Sequence, residues 1–232
     1  MAERKSINLI KSLPHVILCE GQDEWYFLVQ YVGYLVKQHE ISDSINVINM
    51  GGNEELRKNL PILPKVDHYH EMKGFLVVRD AEKDAVGAGC SLKESFSKAF
   101  GVCISDNGDF FVSDNGIKYG FVLLPGKGEN GAYHNGTLED LCCSIIDEDA
   151  AIKNRIFEYI NYFLEGTGNL HRVPFKTPHK NKLHAYFSGT NFFVGMKIGE
   201  AAKAGCFNFS SQKLEFLRKA ILELTADDLN EK

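Results

Sequence analysis

Glu20 follows the apolar run HVILC, Gly51-Gly52-Asn53 closes the run INVINM, and Asp80 and Glu82 close the run GFLVVR. Acids and glycine turns at the ends of short β-branched runs are the parts from which α/β proteins build ligand sites, because the carboxyl ends of parallel strands open into one crevice. Carboxylate oxygens suit Mg²⁺, which keeps several waters and takes one or two carboxylates together with substrate phosphates. In extended chain, residues two apart point the same way with Cα atoms roughly 6.5 Å apart, so Asp80 and Glu82 are expected to reach one cation together. Glu20 joins them if the first and third strands are neighbours. An acid past a strand also serves as a helix cap, and one Asp-x-Glu alone is a weak motif. The ordered series Glu-Gly, Gly-Gly-Asn, Asp-x-Glu over three successive units singles the set out.

The elements that must hold these residues read as follows. His15 to Cys19 is a short apolar strand, and the helix from Asp23 to Gln38 carries Phe27, Tyr31, Tyr34 and Leu35 on one face. Glu24 sits in its first turn, where a negative side chain suits the helix dipole. Ile45 to Asn49 is the second strand; Asn53 is expected to cap a helix through Leu60 that Pro61 and Pro64 end. Gly74 to Arg79 is the third strand. This alternation predicts an α/β fold, a mainly parallel, Rossmann-like sheet flanked by helices. Beyond it, Ser91 to Glu94 has the form of a capping box opening a helix to Phe100, and Asp109 to Ser113 and Ile117 to Leu124 flank a hairpin turn. A second capping box, Thr137 to Asp140, starts another helix. Further helices are expected over 150–164, capped by Gly166, and over 180–188 and 211–224. Residues 1–140 thus form the α/β core and 141–232 a helical C-terminal extension packed on it.

The 232 residues carry a formal net charge of -5, and 44% are hydrophobic, enough for one globular domain with a sizeable core. Residues 1–149 hold 14 basic and 23 acidic side chains and residues 150–232 hold 12 and 8, so the first part is acidic and the second basic. That division suits carboxylates gathered for a metal in one region and a phosphate-attracting surface in the other, as well as ordinary solvated faces. The longest apolar run, Trp25 to Val36, is too short for a membrane span, and the N-terminus lacks the form of a secretory signal, so a cytoplasmic protein is expected. The six cysteines form no CxxC pair and read as reduced core thiols.

The runs VILCEGQDEWYFL, INMGGNEEL and GFLVVRDAEKD resemble the Toprim domain of primases, type IA and II topoisomerases and overcoming-lysogenization-defect nucleases. The likeness is greatest to small stand-alone Toprim proteins. It covers about residues 14–140 and continues more weakly to Gly199–Gly205. The family signature is a glutamate after the first strand and Asp-x-Asp after the third. Glu20 and Asp80 match, and Glu82 departs by one methylene. The resemblance implies a Toprim-like fold and Mg²⁺- or Mn²⁺-dependent, nuclease-like chemistry on phosphodiesters, with nucleic acid as partner and a homo-oligomer or larger complex as assembly. Asp80 and Glu82 would hold the metal, and Glu20 would be a ligand or the general acid/base. Glu24 and, within Thr137-Leu138-Glu139, Glu139 fall where the nuclease branch has further acidic groups, and Lys182 is the candidate for its later lysine. Gly21, Gly51, Gly52 and Asn53 would line the crevice. The rival reading is a non-catalytic metal- or nucleotide-binding module.

Other motifs carry less. Gly126 to Gly131 has the form G-x-G-x-x-G, but Tyr133 to Gly136 separates it from the next helix, which breaks the dinucleotide fingerprint; Lys127 on that turn remains a candidate phosphate contact. His68 and His70 read as surface histidines, Cys142-Cys143 and Trp25-Tyr26-Phe27 as core. Arg172, Lys176, Lys180, Lys182, Lys197 and Lys203 form a basic stretch that fits either a nucleic-acid face or a solvated surface.

Overall fold

The computed structural model of the chain describes residues 13–171 and 178–226. Five strands form one sheet: β1 (His15–Cys19), β2 (Ile45–Asn49), β3 (Gly74–Asp80), β4 (Phe111–Val112) and β5 (Lys118–Leu124), in the order β2-β1-β3-β5-β4. All neighbours are parallel except β4 and β5, which form the expected hairpin. The helices are α1 (Gln22–Lys37), α2 (Asn53–Asn59), α3 (Ala85–Phe100), α4 (Leu138–Ser144), α5 (Ala150–His171), α6 (Pro178–Ser188), α7 (Ile198–Lys203) and α8 (Glu215–Leu224). The fold is α/β and Rossmann-like, a mostly parallel sheet between two helical layers.

Successive strand side chains alternate between faces, and on the central strands β1, β3 and β5 both faces are dry. Ile17, Cys19, Leu76, Val78, Val122 and Leu124 face the core shared with α1, α4 and residues from α5 to α8. Val16, Leu18, Phe75, Val77, Phe121 and Leu123 face the core of α2 and α3. Each such side chain contributes roughly 1.5–3 kcal/mol on burial, so the strand registers that point them inward are fixed firmly. Among the described residues no helix is long and apolar enough to cross a membrane.

Several local expectations need correction. Asn53 is the first residue of α2, and the cap is Gly52 at φ 120°, a backbone state that glycine adopts without the strain a side chain would bring. Pro61 and Pro64 lie in a 3₁₀ turn that continues from α2 over Leu60–Lys65. The capping-box pattern at Ser91 falls inside α3, which begins earlier because Asp84 caps it, accepting the Gly87 N–H. Gly166 does not end α5, which runs on to His171. The short helix α7 had no counterpart in the sequence reading.

Candidate functional site

β1 lies between β2 and β3, so the first and third strand ends are neighbours as the site requires. Cys19 pairs with Val78 in parallel register at the end of β1, and just beyond it Glu20 lies beside Arg79, Nε to Oε2 3.8 Å. Parity then divides the residues. Arg79 continues the face of Val77, toward α2 and α3, with Glu20 beside it, whereas Asp80 continues the face of Val78, toward α1 and α4.

On the α1 face, Asp80 is 7% exposed and its Oδ1 accepts the Leu138 N–H at 2.8 Å, which ties the end of β3 to the first turn of α4. Backbone bonds between Glu82 and Gly136 (2.8 and 2.7 Å) fix the two loops side by side and set that distance. Burial, then the Glu24 charge, with further contributions from Glu139 and Glu20, pushes the Asp80 carboxyl up to about 9, although the Leu138 N–H works the other way. Burial likewise raises Glu24 to about 7, aided by Glu20, Glu139 and Asp23. Gly21 makes room for this carboxylate: a Cβ there would lie 2.6 Å from Glu24 Oε2. Glu139, 3% exposed, pairs with Lys180 of α6 (Nζ to Oε1, 3.2 Å). Burial works against the Lys180 charge, but Glu139 outweighs it and, with Asp23 and Glu24, holds the amine above its ordinary value.

On the α3 face, the Glu20 carboxylate accepts the Asn53 N–H, and its backbone carbonyl accepts the Gly52 N–H at 2.7 Å. Gly51 and Gly52, at φ 86° and 120°, thus bend the β2–α2 loop against Glu20. Burial raises the Glu20 carboxyl, opposed by Arg79. Arg79 Nε lies 3.8 Å from Glu20 Oε2, beyond hydrogen-bond distance, and burial depresses the affinity of the guanidinium for its proton.

The family described as "Protein of unknown function (DUF3226)" matches residues 14–224. The chain belongs to that family. It matches no curated protein and no solved structure.

Within this DUF3226 chain the sequence-derived residues are not all in one place. Asp80, Glu24 and Glu139 adjoin, with Glu20 in electrostatic reach of Asp80 and Glu24 and beside Gly21, Gly52 and Asn53. Glu82 does not continue the strand: at φ 55° the chain turns left-handed, so the side chain is exposed and its charge acts on Glu20 and Arg79 instead of pairing in parallel with Asp80. Lys127 is elsewhere, 3.8 Å from Asp109 and over the Tyr133 ring at 5.0 Å. Lys182 lies over the Phe157 ring at 4.6 Å, and Lys180, two residues earlier on α6, is the lysine at the acids. Of the basic stretch, Arg172 and Lys176 lie outside the described residues. The sequence reading passed over Arg79, although a charged residue inside a strand buried on both faces was a signal. Among the described residues no three His, Cys, Asp or Glu side chains converge closely enough to hold a metal ion as they stand.

Proposed function

We propose that this chain is a Toprim-like protein that uses Mg²⁺ or Mn²⁺ to process phosphodiester bonds in nucleic acid. The observation that carries the reading is the buried Asp80 carboxyl at about 9 and the partly buried Glu24 carboxyl at about 7, each raised by burial and then by the other's or its neighbours' charge, with Glu139 in electrostatic reach of both. Acids that burial and mutual repulsion keep protonated near neutral pH are ligand charge that a cation would draw out, and such shifts gather at functional sites. Their oxygens are the donor type a hard divalent ion takes, and Glu20 Oε2 is buried with no hydrogen-bond partner. Asp80 and Glu24 would hold the ion, which takes one or two carboxylates, with Glu139 and Glu20 at its edge.

When bound, the ion would polarise a phosphoryl oxygen and lower the pKa of a water. The chain's own residues do the rest. The Leu138 N–H orients the Asp80 carboxyl. Glu20, its carboxyl raised by burial, takes a proton from an attacking water as general base. Lys180 offers positive charge where negative charge develops on the phosphate.

The ion pairs Lys180–Glu139 and Arg79–Glu20, together with the lack of a converged triple among the described residues, favour a second reading, a non-catalytic metal- or nucleotide-binding module of a larger complex. Incubation of wild type and Asp80→Asn with single- and double-stranded DNA and RNA in Mg²⁺ or Mn²⁺ separates the two. Cleavage by the wild type that falls at least a hundredfold in the variant supports catalysis; intact polymers in every arm, with nucleotide still bound, select the module.

A further inference from the structure

Arg79 is 6% exposed, and its Nε and Nη1 are buried without a hydrogen-bond partner. The acid beside it, Glu20, stays 3.8 Å away, and Glu20 Oε2 also lacks a hydrogen-bond partner. A third atom in the same condition, Asn53 Oδ1, comes from the loop whose backbone N–H groups bind Glu20. Buried polar atoms are nearly always paired, so two donors and two acceptors left over at three adjacent strand ends describe the complement of something that binds there. Asp80 and Glu82 also act on Arg79, as does the positive charge of Arg57. Beside Gly51 and Gly52 the space is open, with nothing within 4 Å of where a Cβ would stand.

We propose that Arg79, Glu20 and Asn53 form a binding site for a phosphate monoester, such as the terminal phosphate of a nucleotide or of a cleaved strand. The guanidinium fork takes phosphoryl oxygens as acceptors, the geometry in which arginine binds oxyanions best. Glu20 Oε2 needs a donor in return, and the Asn53 amide, turned over, offers its NH₂ to a phosphoryl oxygen. A monoester in its singly protonated form has one P–OH to give, whereas a phosphodiester, a sulfate or a carboxylate has only acceptors and would meet Glu20 unpaired. A buried acceptor left unpaired costs enough to discriminate between such ligands. The proposal rests on the reading of the strand ends as a phosphate-handling site and names the group it holds.

The test is calorimetry with inorganic phosphate, sulfate and dimethyl phosphate in EDTA at pH 6, where inorganic phosphate is mainly H₂PO₄⁻ and carries P–OH groups to donate. Wild type is expected to bind phosphate at least tenfold more tightly than sulfate or dimethyl phosphate, and Arg79→Gln to lose at least tenfold. Should Arg79→Gln not fold, Asn53→Ala, a partly exposed position, is expected to lose several-fold. Equal affinity for phosphate and sulfate, no phosphate binding by wild type, or unchanged binding in the folded variants would overturn the site. Because no cation is present, phosphate binding under these conditions does not draw on a metal, so the phosphate site and the metal reading fail separately.

Discussion

On the α1 side of the sheet edge negative groups crowd: Asp80, Glu24 and Glu139 act on one another's charges, and Lys180 pairs with Glu139. On the α3 side a cation is short of hydrogen-bond partners: Arg79 is buried with Nε and Nη1 donating to none, and its ion-pair partner Glu20 stays 3.8 Å away. Residues 79 and 80 are consecutive, and the alternation of a strand sends them to opposite faces. One strand end therefore presents a demand for positive charge on one side and a demand for acceptors on the other. A metal-bound phosphate would meet both, which neither side shows when considered alone.

The largest consequence is in the pH dependence of stability. Asp80 keeps its proton in the folded state to about 9, but in the unfolded chain releases it near 4. Between those limits the folded state binds the extra proton, so stability falls as pH rises, by about 1.4 kcal/mol per unit. Thermal unfolding in EDTA from pH 6 to 8 should show a loss of about 3 kcal/mol from this group, and Asp80→Asn should remove that slope. A wild-type slope that Asp80→Asn leaves in place would mean the α1 side is not short of positive charge.

A smaller effect separates capping from charge. Asp80→Ala removes the acceptor for the Leu138 N–H as well as the acid, so at pH 6 denaturant titration should show it less stable than Asp80→Asn by about 1–3 kcal/mol. Equal stability would mean that the bond does not hold α4 against β3. Smaller still is the lysine comparison. Lys180→Met leaves the buried Glu139 without its partner and should cost up to about 1 kcal/mol, a loss limited by the exposure of the lysine. Lys182→Met removes the contact with Phe157 and no ion pair with the acids, and should cost about 0.5 kcal/mol. Added Mn²⁺ should cancel the first difference and leave the second.

The strands were legible because each is a short β-branched run, and a sheet buried on both faces demands such runs. Their ends placed Glu20, the Gly51-Gly52 turn and Asp80 correctly, since the sheet order makes the first and third strands neighbours. Glu82 was misread because the strand rule stops where the strand stops, and backbone bonds to Gly136 turn the chain just there. Ser91 and Gly166 misled because a capping residue does not start or end a helix that has already begun or that runs on past it. The choice of Lys182 over Lys180 was beyond spacing alone. Residues two apart on a helix point about 200° apart, and which one meets Glu139 depends on how α6 docks against α4. Arg79 was overlooked for a similar reason: its unpaired state exists only once Glu20 stands beside it.

The central claim, that the Asp80 cluster binds a divalent cation, is tested most directly by calorimetric titration of Mn²⁺ into wild type and Asp80→Asn at pH 7. One ion should bind the wild type with release of protons as Asp80 and Glu24 ionise, and the variant should bind at least tenfold more weakly at unchanged melting cooperativity. Equal affinity in the two proteins, or binding without proton release, would contradict it.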